Sequence, residues 1–197
     1  MRRILPAAAL LAAFVLTGCQ PAVEAPSFHA TDITGAPFGR DFELTDHHGE
    51  TRKLADFRGK AVAVFFGYTH CPDVCPTTLS DFAAALKLLG GQGGRVQVIF
   101  VTVDPQRDTP DLLKQYVPAF NPDFLGMYTD PESLKRLANE FKVVYQKSAV
   151  KAADDYLIDH SAGTYVYDAK GKLRLLMPYG SKPEAIANDL RALLAAS

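Results

Sequence analysis

The chain has 197 residues, with 21 Lys and Arg against 22 Asp and Glu. That length suits one domain able to bury a core without disulfides. With no net positive charge and no basic run there is no electrostatic footprint for nucleic acid, which is excluded as a partner.

The first residues, MRRILPAAALLAAFVLTGC, place Arg2 and Arg3 before an apolar run to Leu16 and small residues ending at Cys19. This is the pattern of an export signal, with an apolar stretch too short to match a bilayer's hydrocarbon core. Leu16-Thr17-Gly18-Cys19 resembles the bacterial lipoprotein box. The resemblance implies that residues 1–18 are removed and that Cys19 is lipidated, anchoring the chain to a membrane of the bacterial cell envelope, facing the periplasm or the exterior. Residues 19–36 contain Pro, Ala and polar residues without periodicity and read as a tether, leaving residues 37–197 as the folded domain.

Within that domain, FELTDHHGETRKL predicts two short strands joined by a turn at His47–Gly49, an N-terminal β-hairpin whose two histidines are expected to be solvated. The continuous apolar runs from Ala61 (AVAVFFG) and Val96 (VQVIFVTV) predict strands buried on both faces. Between them Leu79, Phe82, Ala83, Leu86 and Leu89 fall at helical spacing in a helix beginning at Pro76 and closed by Gly90-Gly91. Strand, helix, strand is a parallel crossover unit.

Thr109-Pro110 and Asp130-Pro131 each pair a capping residue with Pro at the first helical position. GTYVYD and KLRLLMPY, joined by Ala169-Lys170-Gly171, predict a hairpin. Ser181-Lys182-Pro183-Glu184 reads as a capping box opening a last helix. The sum is an α/β sandwich of thioredoxin type, a central mixed sheet flanked by helices.

The chemistry concentrates in FFGYTHCPDVCPTTL. Cys71 lies just beyond the first buried strand, where ligands collect in open α/β folds, and the helix that follows depresses a nearby thiol through its positive end. With Cys19 assigned to lipid, Cys71 and Cys75 are the remaining cysteines, too few and too close for a disulfide framework. Cysteines four apart in a helical turn stand ~5–6 Å apart at Cβ. A disulfide needs roughly 3.5–4.5 Å. A looped approach around Pro72 and Pro76 closes that gap, so spacing alone admits both a disulfide and a shared metal ion.

A third ligand decides between them. His29 falls in the tether, and His70 adjoins Cys71 on a strand end where neighbouring side chains point apart. His160, in LIDHSAGTYV, precedes the third apolar strand, in the loop that folds against the cysteine turn of a thioredoxin-type sheet. Thioredoxin-like reductases carry a cis-Pro there, and Asp159 to Thr164 holds none. Two thiolates and an imidazole suit zinc or copper, and copper better fits an exported thiol pair that releases its metal.

GYTHCPDVCPTTL, VTVDPQRDTP and DHSAGTYVYD together resemble the Sco/SenC family of membrane-tethered, thioredoxin-fold copper proteins. The resemblance implies that Cys71, Cys75 and His160 bind copper, as Cu(I) or Cu(II). It also implies a role in delivering copper to, or reducing the cysteines of, the copper site of cytochrome c oxidase subunit II. A periplasmic copper donor or thiol reductant would then be a further partner. The family keeps DPQRDTP near the metal, which makes Asp104 and Arg107 candidates behind the ligands or for docking, and Asp159 a candidate to orient the imidazole.

Two activities follow: a non-enzymatic copper chaperone, or a thiol–disulfide oxidoreductase cycling Cys71 and Cys75. A peroxidase is disfavoured, because the position three before Cys75 is Pro72 rather than Thr. Met127 and Met177 read as core fillers.

Overall fold

A computed structural model describes residues 27–148, 152 and 155–196. The signal, Cys19 and the first part of the tether lie outside them. The strands are β1 (Thr31–Asp32), β2 (Glu43–Asp46), β3 (Thr51–Lys53), β4 (Ala61–Gly67), β5 (Val96–Thr102), β6 (Leu125–Tyr128), β7 (Tyr145–Ser148), β8 (Leu157–His160), β9 (Thr164–Tyr167) and β10 (Leu173–Met177). The helices are α1 (Val74–Leu88), α2 (Pro110–Tyr116), α3 (Pro131–Phe141) and α4 (Pro183–Ala195). Among the described residues no helix is long and apolar enough to cross a membrane.

Among the described residues eight strands form one mixed sheet in the order β1-β10-β9-β4-β5-β6-β2-β3. β4, β5 and β6 run parallel, and β9 returns antiparallel beside β4. Every residue of β4 and β5 is buried, as two-sided cover requires of their uninterrupted apolar sequences. Phe66, Phe141 and Tyr165 pack edge to face behind the sheet, and α1 lies against α4. Met127 and Met177 are buried in the core.

The helix starts follow the capping chemistry closely. The Thr109 hydroxyl accepts the Leu112 N–H, and Asp130 accepts the N–H groups of Glu132 and Ser133. α1 begins at Val74, two residues before the predicted Pro76, because a proline in the first turn forfeits only an N–H with no intrahelical partner. The capping box at Ser181 does not form. Lys182 is the N-cap of α4, and the Ser181 hydroxyl donates instead to the Pro178 carbonyl at 2.8 Å.

The turn between β2 and β3 departs from expectation in one residue. His47 is buried, because β2 pairs with β6 and carries the turn onto the sheet. Its Nδ1 accepts the Gly126 N–H at 2.9 Å, so only His48 is exposed.

The segment read as tether also contributes to the fold. Thr31–Asp32 pair with β10 as an edge strand. Just before them, the Asp189 carboxylate of α4, 1% exposed, accepts the backbone N–H groups of His29 and Ala30 at 2.9 and 2.8 Å. His29 Nδ1 lies 3.0 Å from the same carboxylate. Asp189→Ala leaves both backbone donors without that partner. It is expected to cost about 1–3 kcal/mol in urea unfolding and to speed amide exchange at Ala30–Asp32. An unchanged midpoint with unchanged protection would show that the latch does not hold this edge.

Candidate metal centre

Three chain segments converge at the C-terminal ends of β4 and β5. The loop after β4 carries Cys71, the first turn of α1 carries Cys75, and the end of β8 carries His160. Donor atoms of the three residues lie within 4.8 Å of one another, the one such cluster of three among the described residues. Cys75 Sγ and His160 Nε2 are 3.4 Å apart. Both cysteines are free thiols.

Each side chain is aimed by local structure. Cys75 is fully buried, against the end of β4. A methyl group on Gly67 would stand 2.7 Å from its Sγ and 2.8 Å from the Phe100 ring, so the sulfur occupies room that only glycine leaves. Cys71 sits in the loop just ahead of α1, where its Sγ accepts the Cys75 N–H at 3.4 Å. His160 is set edge-on to Phe65 and Tyr68, with centroids 6.0 and 5.9 Å away. Its Nδ1 lies 3.0 Å from the Ser161 carbonyl. A carbonyl only accepts, so Nδ1 carries the proton and the Nε2 lone pair faces the thiols.

The two thiols are electrostatically unequal. The hydrogen bond from Cys75 brings the Cys71 pKa down to about 3, against the cost of partial burial, with the N–H groups of Asp73 and Cys75 assisting. The same hydrogen bond and deeper burial push the Cys75 pKa far upward. The proton of the pair therefore rests on Cys75, and Cys71 is the thiolate. A cleft of about 290 Å³ opens beside Cys71 between Tyr68, Pro72, Val74, Leu157 and His160, giving the site access to solvent.

Two soft sulfurs and a correctly tautomerised imidazole, with no bridging disulfide, form a donor set fit for a soft monovalent or borderline divalent ion. The other residues singled out from sequence lie outside it. Asp104 is buried and accepts from Arg107 Nε at 2.5 Å and the Tyr156 hydroxyl at 2.8 Å. Asp159 is exposed, and the imidazole it was expected to orient is held by the Ser161 carbonyl instead. His70 is half-exposed, with Nδ1 3.0 Å from the Thr69 hydroxyl. Sequence reasoning passed over Asp108, Tyr68 and Tyr156. Asp108 sits inside the quoted DPQRDTP stretch, and the two tyrosines flank the cysteine and histidine segments.

The SCO1/SenC family profile matches residues 30–195. The chain belongs to this family. A SCO2-like protein of Rickettsia felis is 36% identical over 156 residues, covering 78% of this chain and 75% of its own. Copper-bound ScoI of Bradyrhizobium japonicum superposes with a TM-score of 0.72 at 37% identity, covering 78% of this chain and 98% of that one. The solution structure of apo Sco1 from Thermus thermophilus gives 0.74 at 42%, covering 85% and 97%. The thioredoxin-like architecture expected from the element order is the architecture of this family.

The asymmetry of the thiols sets a reactivity test. In the reduced protein, iodoacetamide should modify Cys71 well before Cys75, read by peptide mass spectrometry. The Cys71 rate should stay level from about pH 5 to 8, where an ordinary thiol of pKa about 8.5 gains roughly tenfold per unit. A Cys71 rate that climbs like an ordinary thiol's would overturn the assignment of the thiolate.

Proposed function

We propose that this chain binds one copper ion through Cys71 Sγ, Cys75 Sγ and His160 Nε2 and passes it on during assembly of the copper site in cytochrome c oxidase subunit II. The carrying observation is the convergence of three suitable donor atoms within 4.8 Å in a member of the SCO1/SenC family. Copper is cargo here. Cys71 presents a ready thiolate, Cys75 gives up its proton when metal enters, and His160 offers a lone pair already turned inward. The cleft beside Cys71 lets an incoming thiol compete for the ion without unfolding the domain. Lipidation at Cys19 would hold the chain at a membrane of the cell envelope, close to a membrane-bound recipient.

The inequality of the thiols supports a second reading, disulfide exchange with the recipient. The Cys71 thiolate attacks a partner disulfide, forming a mixed disulfide and releasing one partner thiolate. Cys75 then gives up its proton and attacks the Cys71 sulfur, and the second partner thiolate leaves. The partner gains two electrons and this chain ends as the Cys71–Cys75 disulfide. The two readings are compatible, because metal binds only the reduced pair.

Anaerobic competition for Cu(I) against a chelator separates them. Wild type is expected to hold one copper, and His160→Ala to hold it about 100-fold or more weakly, since even groups behind metal ligands are worth about 10–100-fold. Disulfide exchange by the mutant should be spared. No tight copper in wild type, or equal affinity in the two proteins, would overturn the copper reading.

A further inference from the structure

The strand that carries His160 does not belong to the main sheet. Among the described residues β7 and β8 pair only with each other, and two strands alone are marginal in water. The imidazole nevertheless stands 3.4 Å from a sulfur fixed to β4 and α1. Something has to hold the small hairpin against the large sheet.

The loop leaving β5 makes both connections. Asp108, 1% exposed, accepts the Thr69 N–H at 3.0 Å and the Thr69 hydroxyl at 2.6 Å. Thr69 is two residues before Cys71, so this grip falls on the cysteine loop. Burial pushes the Asp108 carboxyl's pKa up, against these hydrogen bonds.

Asp104, 2% exposed, faces the other way. It accepts the Tyr156 hydroxyl and the Arg107 guanidinium. Arg107 Nη1 donates to the Tyr156 carbonyl at 2.9 Å, and its guanidinium carbon lies 3.5 Å from the Tyr156 ring centre. Tyr156 directly precedes β8. Tyr68, from the cysteine side, accepts the Ile158 N–H at 3.1 Å. Thr102 joins the two grips, receiving the Asp104 N–H at 2.9 Å and donating to Asp108 at 2.6 Å.

We infer that Asp104, Arg107 and Asp108 are positioning residues that set the gap between the His160 imidazole and the cysteine pair. Asp108 holds the cysteine loop through Thr69, and Asp104 with Arg107 holds the His160 hairpin through Tyr156. None of the three supplies a ligand atom. The inference rests on the copper reading for its consequence, but its structural part concerns the metal-free protein.

The test uses Tyr156→Phe, which deletes one hydroxyl and keeps the ring, with Arg107→Lys, which keeps the charge and loses the fork, as the second variant if the first does not fold. In metal-free protein, amides at Ile158–His160 should exchange roughly tenfold faster or more, with α1 protection unchanged. Cu(I) affinity should fall about 10–100-fold. Placed on His160→Ala, the same substitution should cause no further loss, because it acts through the imidazole. The reduction potential of the Cys71–Cys75 pair should stay at the wild-type value.

Unchanged amide exchange at the hairpin, or an equal copper loss in the His160→Ala background, would overturn the inference. If wild type held no tight copper, the copper reading would fail alone, and the exchange measurement would still decide whether the brace exists.

Discussion

A sulfur and an imidazole nitrogen 3.4 Å apart, from residues 85 positions apart in the chain, are the contact around which this domain is arranged. β4 delivers Cys75 by ending in a glycine, because any side chain at Gly67 would occupy the volume of the sulfur. β9, antiparallel to β4, brings the preceding loop and His160 to the same end of the sheet. The Ser161 carbonyl fixes which ring nitrogen carries the proton, and so which faces inward. Each arrangement is local, yet each has its purpose only where the three meet.

Electrostatics then divides the work within the pair. Cys71 lies just ahead of a helix N-terminus and accepts hydrogen bonds, whereas Cys75 is deeper and donates. A thiolate at the mouth and a thiol behind it serve metal capture and disulfide exchange equally well. The imidazole separates the two, since exchange needs only sulfur while a third donor completes a metal site. On the proposed reading, copper and a Cys71–Cys75 disulfide exclude each other, because metal binds only the reduced pair.

Much of the architecture was legible in the chain because it depends on short-range rules. The fully apolar runs at Ala61 and Val96, the Thr-Pro and Asp-Pro helix starts and the β9–β10 turn carry their structure in their own residues. The meeting of Cys71, Cys75 and His160 was legible as well, from two cysteines at a strand end and a histidine where a proline was expected. Long-range partners left no such trace. Nothing near His47 announces burial, because the cause is Gly126 on a strand distant in sequence. Ser181 looked like a cap, yet its hydroxyl found the Pro178 carbonyl. β1 is two exposed residues with no pattern, held by an aspartate in the last helix. Asp108 was visible only as part of a loop, since its partner Thr69 lies 39 residues earlier.

The long sequence gap between Cys75 and His160 has a consequence for the life of the protein before it folds. An unfolded chain presents two neighbouring thiols and a remote imidazole, so the three-donor set exists only in the native state. An ion that favours that set stabilises the folded domain by mass action, by about 2.7 kcal/mol when free ion stands at 100 times its dissociation constant. Occupancy of the centre is thus also a report that folding has been completed.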